Sequence, residues 1–188
     1  MIIRRTVIQS GDEIIEISHK ETLKAARFEI VVDEIKKSGN CYPYSYVNIK
    51  SGVVILPMVN ESICAIKQFR PTIGDWIYEL PAGAIEKDEK PIDAAIRELY
   101  EEVGCKVLNI YSLGDTYAST GCTNEHVYLF AAECIETAFD DRDASEIIEK
   151  ILIPKDEFEE IVRKGSLKCA TNELAWHRYL ESGYERDV

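Results

Sequence analysis

One short segment holds the residues whose types and spacing suit them to chemistry: Gly83, Glu89, Arg97, Glu98, Glu101, Glu102 and Gly104. Glu98, Glu101 and Glu102 stand at i, i+3 and i+4, so on a helix their carboxylates are surface neighbours that repel by a few tenths of a kcal/mol per pair. A divalent cation reverses that sign. Hard cations such as Mg2+ take oxygen ligands and commonly reach a protein through a few carboxylates, leaving other positions to water and substrate phosphate. A bare acidic run is usually a solvated face. The glycines at both ends and the Arg97–Glu89 spacing argue against that reading, since a plain solvated helix needs neither. Glu89 and Arg97 are expected to pair and hold the preceding loop on the helix, a supporting role beside the acidic cluster.

The element that must position these groups is a helix over 91–103. Pro91 suits its first turn, Asp93 puts negative charge near its positive end, and Gly104 suits the position past its C-terminus. Ile92, Ala95, Ile96, Leu99 and Val103 recur at three- and four-residue steps and form an apolar stripe able to pack on a sheet. The three glutamates are expected on the opposite side.

Residues 83–105 follow the spacing GX5EX7REUXEEXGU, with U an aliphatic residue, occupied here by Leu99 and Cys105. At average residue usage such a coincidence arises on the order of once in 10^8 windows. The segment resembles the Nudix box of the Nudix hydrolases, and the resemblance implies a metal-dependent enzyme that cleaves a nucleoside diphosphate linked to another group. Lys67-Gln68-Phe69-Arg70 and Glu79-Leu80-Pro81-Ala82-Gly83 look like the ADP-ribose pyrophosphatase branch. There the resemblance implies Mg2+, with Mn2+ as a substitute, held by Glu98, Glu102 and the Ala82 carbonyl. Glu101 joins through water or a further ion, and Arg97 belongs with the catalytic glutamates. Arg70 is expected to grip the substrate diphosphate, a task suited to a guanidinium fork; its bland reading is a salt bridge at a strand end. Glu79 is expected near the substrate or merely paired with a basic neighbour.

Ser119-Thr120-Gly121-Cys122-Thr123-Asn124-Glu125 resembles the catalytic loop of bacterial ADP-ribose pyrophosphatases. By that likeness Glu125 is the first candidate for general base and Glu101 its rival. Thr120 stands where a proline usually accompanies ADP-ribose preference, which leaves UDP-glucose or GDP-mannose as competing substrates. Tyr46, with Tyr42 and Tyr44, is placed to stack on a nucleobase or simply to pack in a sheet. The family also implies a homodimer. A non-catalytic nucleotide-binding module is the alternative of a different class, disfavoured because every box carboxylate is present.

The chain has 188 residues, and its formal charge of −12 argues against nucleic-acid or anionic-membrane partners. An anionic substrate is repelled overall, so the site must supply local positive charge. No apolar stretch approaches a membrane span and no targeting signal opens the sequence, so a cytoplasmic protein is expected. The six cysteines are scattered singly without zinc-ligand spacing, which suits reduced thiols.

Strands are expected over 12–18, 26–35, 44–49, 52–59, 62–69, 76–80, 107–113, 127–132 and 147–153. Gly114 to His126 reads as a loop, Asp141 to Ser145 as a polar break, and helices close the chain over 155–164 and 170–180. Strands interrupted by one helix and closed by two point to an α/β fold, a mixed sheet flanked by helices. The resemblance names it the Nudix α/β/α sandwich preceded by a small N-terminal β-region, divided as 1–50, a dimerisation element, and 51–188, the hydrolase domain.

Overall fold

The structure, a computed structural model, describes residues 5–10, 13–26, 28–137 and 148–184. The expected break at Asp141 to Ser145 and the first residues of the strands expected from 12 and 147 lie outside the described residues. Two compact units emerge. One comprises residues 1–50 and the loop 119–125, the other residues 51–118 and 126–188.

The first unit is an antiparallel meander of four strands, β1 (Arg5–Ser10), β2 (Glu13–Ala25), β3 (Phe28–Lys37) and β4 (Asn40–Asn48). Positive φ at Ser38 and Gly39 turns β3 into β4, as the Ser-Gly-Asn run suggests. Two strands run much longer than expected, and β1 was not anticipated. Among the described residues none of this unit is fully buried, and Val7, Ile14, Leu23 and Tyr42 stand exposed. The loop 119–125 was expected to belong with the hydrolase domain but packs here. Val47 N–H donates to the Cys122 carbonyl at 2.9 Å, Ile49 N–H to Asn124 Oδ1 at 2.8 Å, and Asn124 Nδ2 to Asn48 Oδ1 at 2.7 Å.

The second unit is a seven-stranded mixed sheet between helices. Its strands are β5 (Gly52–Val59), β6 (Ser62–Arg70), β7 (Asp75–Glu79), β8 (Ala82–Ala84), β9 (Cys105–Tyr117), β10 (His126–Glu136) and β11 (Ile148–Pro154). The spatial order is β11-β6-β5-β10-β9, with β7 against β6 and β8 against β5, and among the described strands only β5 and β10 pair in parallel. Period-two alternation in β5 sends Val54 and Leu56 to one face and Val53 and Ile55 to the other. The Val54 face packs on α2 (Lys155–Arg163) and α3 (Ala170–Ser182) through Phe158, Val162, Ala175 and Trp176. The Val53 face packs on α1 (Pro91–Val103) through Ala94, Ala95, Leu99 and Val103. Each fully buried Leu or Val contributes roughly 1.5–3 kcal/mol. Cys64, Cys105 and Cys134 pack within this second core, so the thiol at the last box position serves as a small hydrophobe. All six cysteines are free thiols.

The helix α1 has the expected bounds, with Pro91 in its first turn and Gly104 left-handed at φ 59°, its N–H returned to the Leu99 and Tyr100 carbonyls. The stripe differs from expectation. Ile92 and Ile96 are about 40% exposed, at 40% and 41%, and Ala94 takes their place in the core. The β9–β10 loop is also shorter than expected, because the ladder continues to the pair Tyr117–His126. Asn172 of α3, buried, accepts the Leu80 N–H at 2.8 Å and fastens the segment leading into β8. Among the described residues no helix is long and apolar enough to cross a membrane.

Candidate functional site

The box residues converge where the C-terminal half of α1 crosses β8. Ala82 and Gly83 lie on β8, paired in register with Val54 and Val53 of the central strand β5. Glu98 is not on the solvent side as its spacing suggested: it is 9% exposed, with its carboxylate directly over Gly83. An ideal Cβ on Gly83 would fall 1.9 Å from Glu98 Oε1, well inside van der Waals contact. Only glycine lets the strand pass beneath that carboxylate. One turn on, Glu102 Oε2 accepts the Ala82 N–H at 3.0 Å. Glu98 and Glu102 are thereby both drawn to the same two residues of β8.

Arg97 is the electrostatic centre of the cluster. Its Nε donates to Glu89 Oε1 at 3.0 Å and its Nη2 to Glu89 Oε2 at 3.1 Å, a bidentate clamp of loop on helix. Nη2 also donates to the Ala84 carbonyl at 3.0 Å. Nη1 donates to Glu98 Oε1 at 2.7 Å and Glu101 Oε2 at 2.9 Å. The proposed Arg97–Glu89 tie is therefore present, and the same guanidinium compensates two further carboxylates. Hydrogen bonding from Arg97, then from the Glu86 backbone, holds Glu89 below the ordinary carboxylate range. Glu101 is the most exposed of these acids, with 44% of its side chain accessible.

Arg70, at the end of β6, lies against Glu79 at the end of β7. Its Nε and Nη2 donate to Glu79 Oε2 at 2.9 and 2.8 Å. Glu79 is buried, whereas Arg70 keeps 42% of its side chain accessible. The buried acid thus orients a half-exposed guanidinium whose remaining edge is open to a polyanion.

Two expected site residues fall in the N-terminal unit. Tyr46 of β4 is half-buried and lines a cavity of about 520 Å³ on one face of the four-stranded sheet, together with His19, Asp33, Asn48 and Asn124. Its ring centroid is 6.4 Å from that of Tyr44. Glu125 ends the loop 119–125, with its N–H directed at Thr123 Oγ1 at 3.4 Å, and burial raises its carboxyl above the ordinary value. Sequence reasoning missed Asn172 and the Ala84 carbonyl, whose contributions are tertiary and carry no local pattern.

Among the described residues no three Asp, Glu, His or Cys side chains form a ready metal-binding group. The Glu98 and Glu102 carboxylates both reach β8, and like the strand carbonyls there they offer oxygen donors. That set fits a hard cation keeping much of its shell for water and phosphate, and it does not fit zinc.

Comparison with known proteins gives this arrangement a family. A NUDIX domain model matches residues 49–171. The ADP-ribose pyrophosphatase of Bacillus subtilis (strain 168) is 29% identical over 148 residues, covering 78% of this chain and 75% of that protein. The ADP-sugar pyrophosphatase of Mus musculus is 51% identical over 47 residues, 25% of this chain and 22% of that protein. A solved structure of an ADP compounds hydrolase superposes with a TM-score of 0.78 at 18% identity, covering 100% of this chain and 98% of the other. The family generally uses divalent metal ions. With the sandwich fold, the glycine-seated Glu98 and the Arg97 clamp, these matches establish that the chain belongs to the NUDIX domain family and groups with its ADP-ribose and ADP-sugar pyrophosphatases.

Proposed function

We propose that the protein is a Mg2+-dependent pyrophosphohydrolase that cleaves ADP-ribose to AMP and ribose 5-phosphate. The observation that carries this reading is the seating of Glu98 over Gly83 beside Glu102, two carboxylates at one strand crossing with Arg97 as their counter-charge. The similarity to an ADP-ribose pyrophosphatase over most of the chain supplies the substrate class. Glu98, Glu102 and the Ala82 carbonyl would hold the ion, and Glu101, tethered to Arg97, would join through water. When bound, the ion lowers the pKa of a coordinated water and neutralises charge on the diphosphate. Arg70, oriented by Glu79, binds the diphosphate oxygens, and Tyr46 supplies an aromatic face for the base. Glu125 takes the proton of the attacking water, with Glu101 as the alternative base.

A second reading has one observation in its favour. Thr120 occupies the place where ADP-ribose enzymes of this branch usually carry proline, so another nucleotide sugar, UDP-glucose or GDP-mannose, is the competing substrate. A hydrolysis panel of ADP-ribose, UDP-glucose, GDP-mannose, NADH and diadenosine polyphosphates with Mg2+ decides between them. The expected result is AMP and ribose 5-phosphate from ADP-ribose at the highest kcat/KM. A preference for a different nucleotide sugar would transfer the assignment to it, and binding without any product would leave a nucleotide-binding module.

The Glu125 assignment has its own pH signature. A general base works only when ionised, so kcat falls as pH drops through its pKa. Burial raises that pKa, so the midpoint of the acid limb is expected above the ordinary glutamate value of about 4.3. Glu125→Gln is expected to remove the limb and lower kcat by about 10^2–10^4. An unchanged pH–rate profile in that variant would shift the role to Glu101.

A homodimer is part of the same proposal. Its support is a four-stranded sheet that, among its described residues, contributes nothing to either buried core and exposes Val7, Ile14, Leu23, Tyr42 and Tyr44. The substrate partner is a small nucleoside diphosphate derivative, with neither nucleic acid nor membrane as partner at a net charge of −12. A cytoplasmic location accords with six free thiols.

A further inference from the structure

The β9–β10 ladder ends in a side-chain cluster that the box does not contain. His126, the residue after Glu125, begins β10 and pairs across the ladder with Tyr117, while Tyr128 pairs with Asp115. His126 Nε2 donates to Asp115 Oδ2 at 2.7 Å. The imidazole touches two phenol rings, stacked on Tyr117 at a centroid distance of 4.7 Å and 12° between planes, and tilted against Tyr128 at 4.5 Å and 44°. From α3, Arg178 Nη1 donates to the Leu113 and Asp115 carbonyls at 2.9 and 3.2 Å, pinning the backbone that presents Asp115. An edge ladder has no need of this many ties at its last pair, and frayed strand ends are common where nothing depends on them.

We infer that His126, held by Asp115 and Tyr117, is a positioning residue that fixes the orientation of Glu125 for the hydrolytic step. The inference rests on the reading of Glu125 as general base. The Glu125 carbonyl carbon is bonded to the His126 nitrogen through a planar peptide, so a His126 side chain held by Asp115, Tyr117 and Tyr128 fixes the backbone from which the Glu125 side chain departs. On its other side the Glu125 N–H is directed at Thr123 Oγ1. His126 touches no reacting atom in this scheme and exchanges no proton. The His126–Asp115 pair is partly exposed, with 23% and 54% of the two side chains accessible, so it adds little to stability. Its effect is expected on rate.

The test is a set of variants of the full chain, assayed with Mg2+ on the best substrate of the panel. His126→Ala is expected to lower kcat by roughly tenfold to a hundredfold, the range of a misplaced catalytic group, with KM within about twofold and an unchanged melting temperature. His126→Gln, whose amide can still donate to Asp115, recovers most of the rate, and Asp115→Ala reproduces the loss from the other side of the pair. In a Glu125→Gln background, His126→Ala has no further effect, because there is no base left to orient. The proposal is overturned if Glu125→Gln is impaired while His126→Ala keeps full kcat, or if His126→Ala costs the same factor in both backgrounds. If Glu125→Gln itself retains full kcat, the base assignment fails first and the positioning role falls with it.

Discussion

Glu98→Gln and Glu102→Gln are each expected to lower Mg2+-dependent turnover by about three orders of magnitude while leaving the fold intact. Glutamine is nearly isosteric, so the seat over Gly83 stays filled and the Ala82 N–H keeps an acceptor. What disappears is an ionised oxygen donor, and the several kcal/mol of charge stabilisation that a bound ion contributes converts to roughly 10^3 in rate at 1.36 kcal/mol per decade. Calorimetric Mg2+ titration and initial rates across a metal series measure both consequences, and raised Mg2+ is expected to recover part of the lost activity. Either variant turning over within tenfold of the parent at low Mg2+ would remove it from the metal-binding set. Glu98→Gln carries an additional effect, because Arg97 loses a charged partner at 2.7 Å.

Gly83→Ala tests the seat from the strand side. Its methyl group would stand 1.9 Å from Glu98 Oε1 and 2.0 Å from Cδ, so the carboxylate must move by more than 1 Å. Displacements of that size in a catalytic group cost about a hundredfold in rate. The Gly83 backbone is not in the left-handed region and its ladder partner is Val53, so β8 itself accepts alanine. The expected outcome is a kcat reduced by at least about 10^2 with a melting temperature close to the parent. Full activity in this variant would show that catalysis does not depend on where Glu98 sits, and would count against the Glu98 prediction as well.

The two predictions differ in how much of their basis can be read from sequence. The helix 91–103 was legible to the residue because its ends are local: proline before, a left-handed glycine after. The Arg97–Glu89 tie was legible for a similar reason, since both partners lie within the box. The direction of Glu98 was not. Its burial depends on β8 crossing under α1, and β8 is only three residues long, too short for any periodic signal. Ile92 and Ile96 misled for the converse reason, since helical spacing names a stripe but not the width of the sheet that covers it. Parts of β2 and β3 were recognisable from β-branched alternation, whereas β1 was not anticipated and the continuation of β9 through Gly114 to Tyr117 was hidden by loop-forming residues. Asn172, Arg178 and Asp115 act across distant stretches of chain, and no local pattern could have picked them out.

The loop 119–125 has a further implication, for inheritance. The family segment, 49–171, contains this loop in sequence, yet its hydrogen bonds go to Val47, Asn48 and Ile49 at the end of a strand that lies almost wholly upstream. The proposed base is therefore not a possession of the family segment alone. Exchanging the N-terminal sheet between homologues would exchange the scaffold on which Glu125 is folded, so recombination at the 50/51 junction would alter turnover as well as assembly.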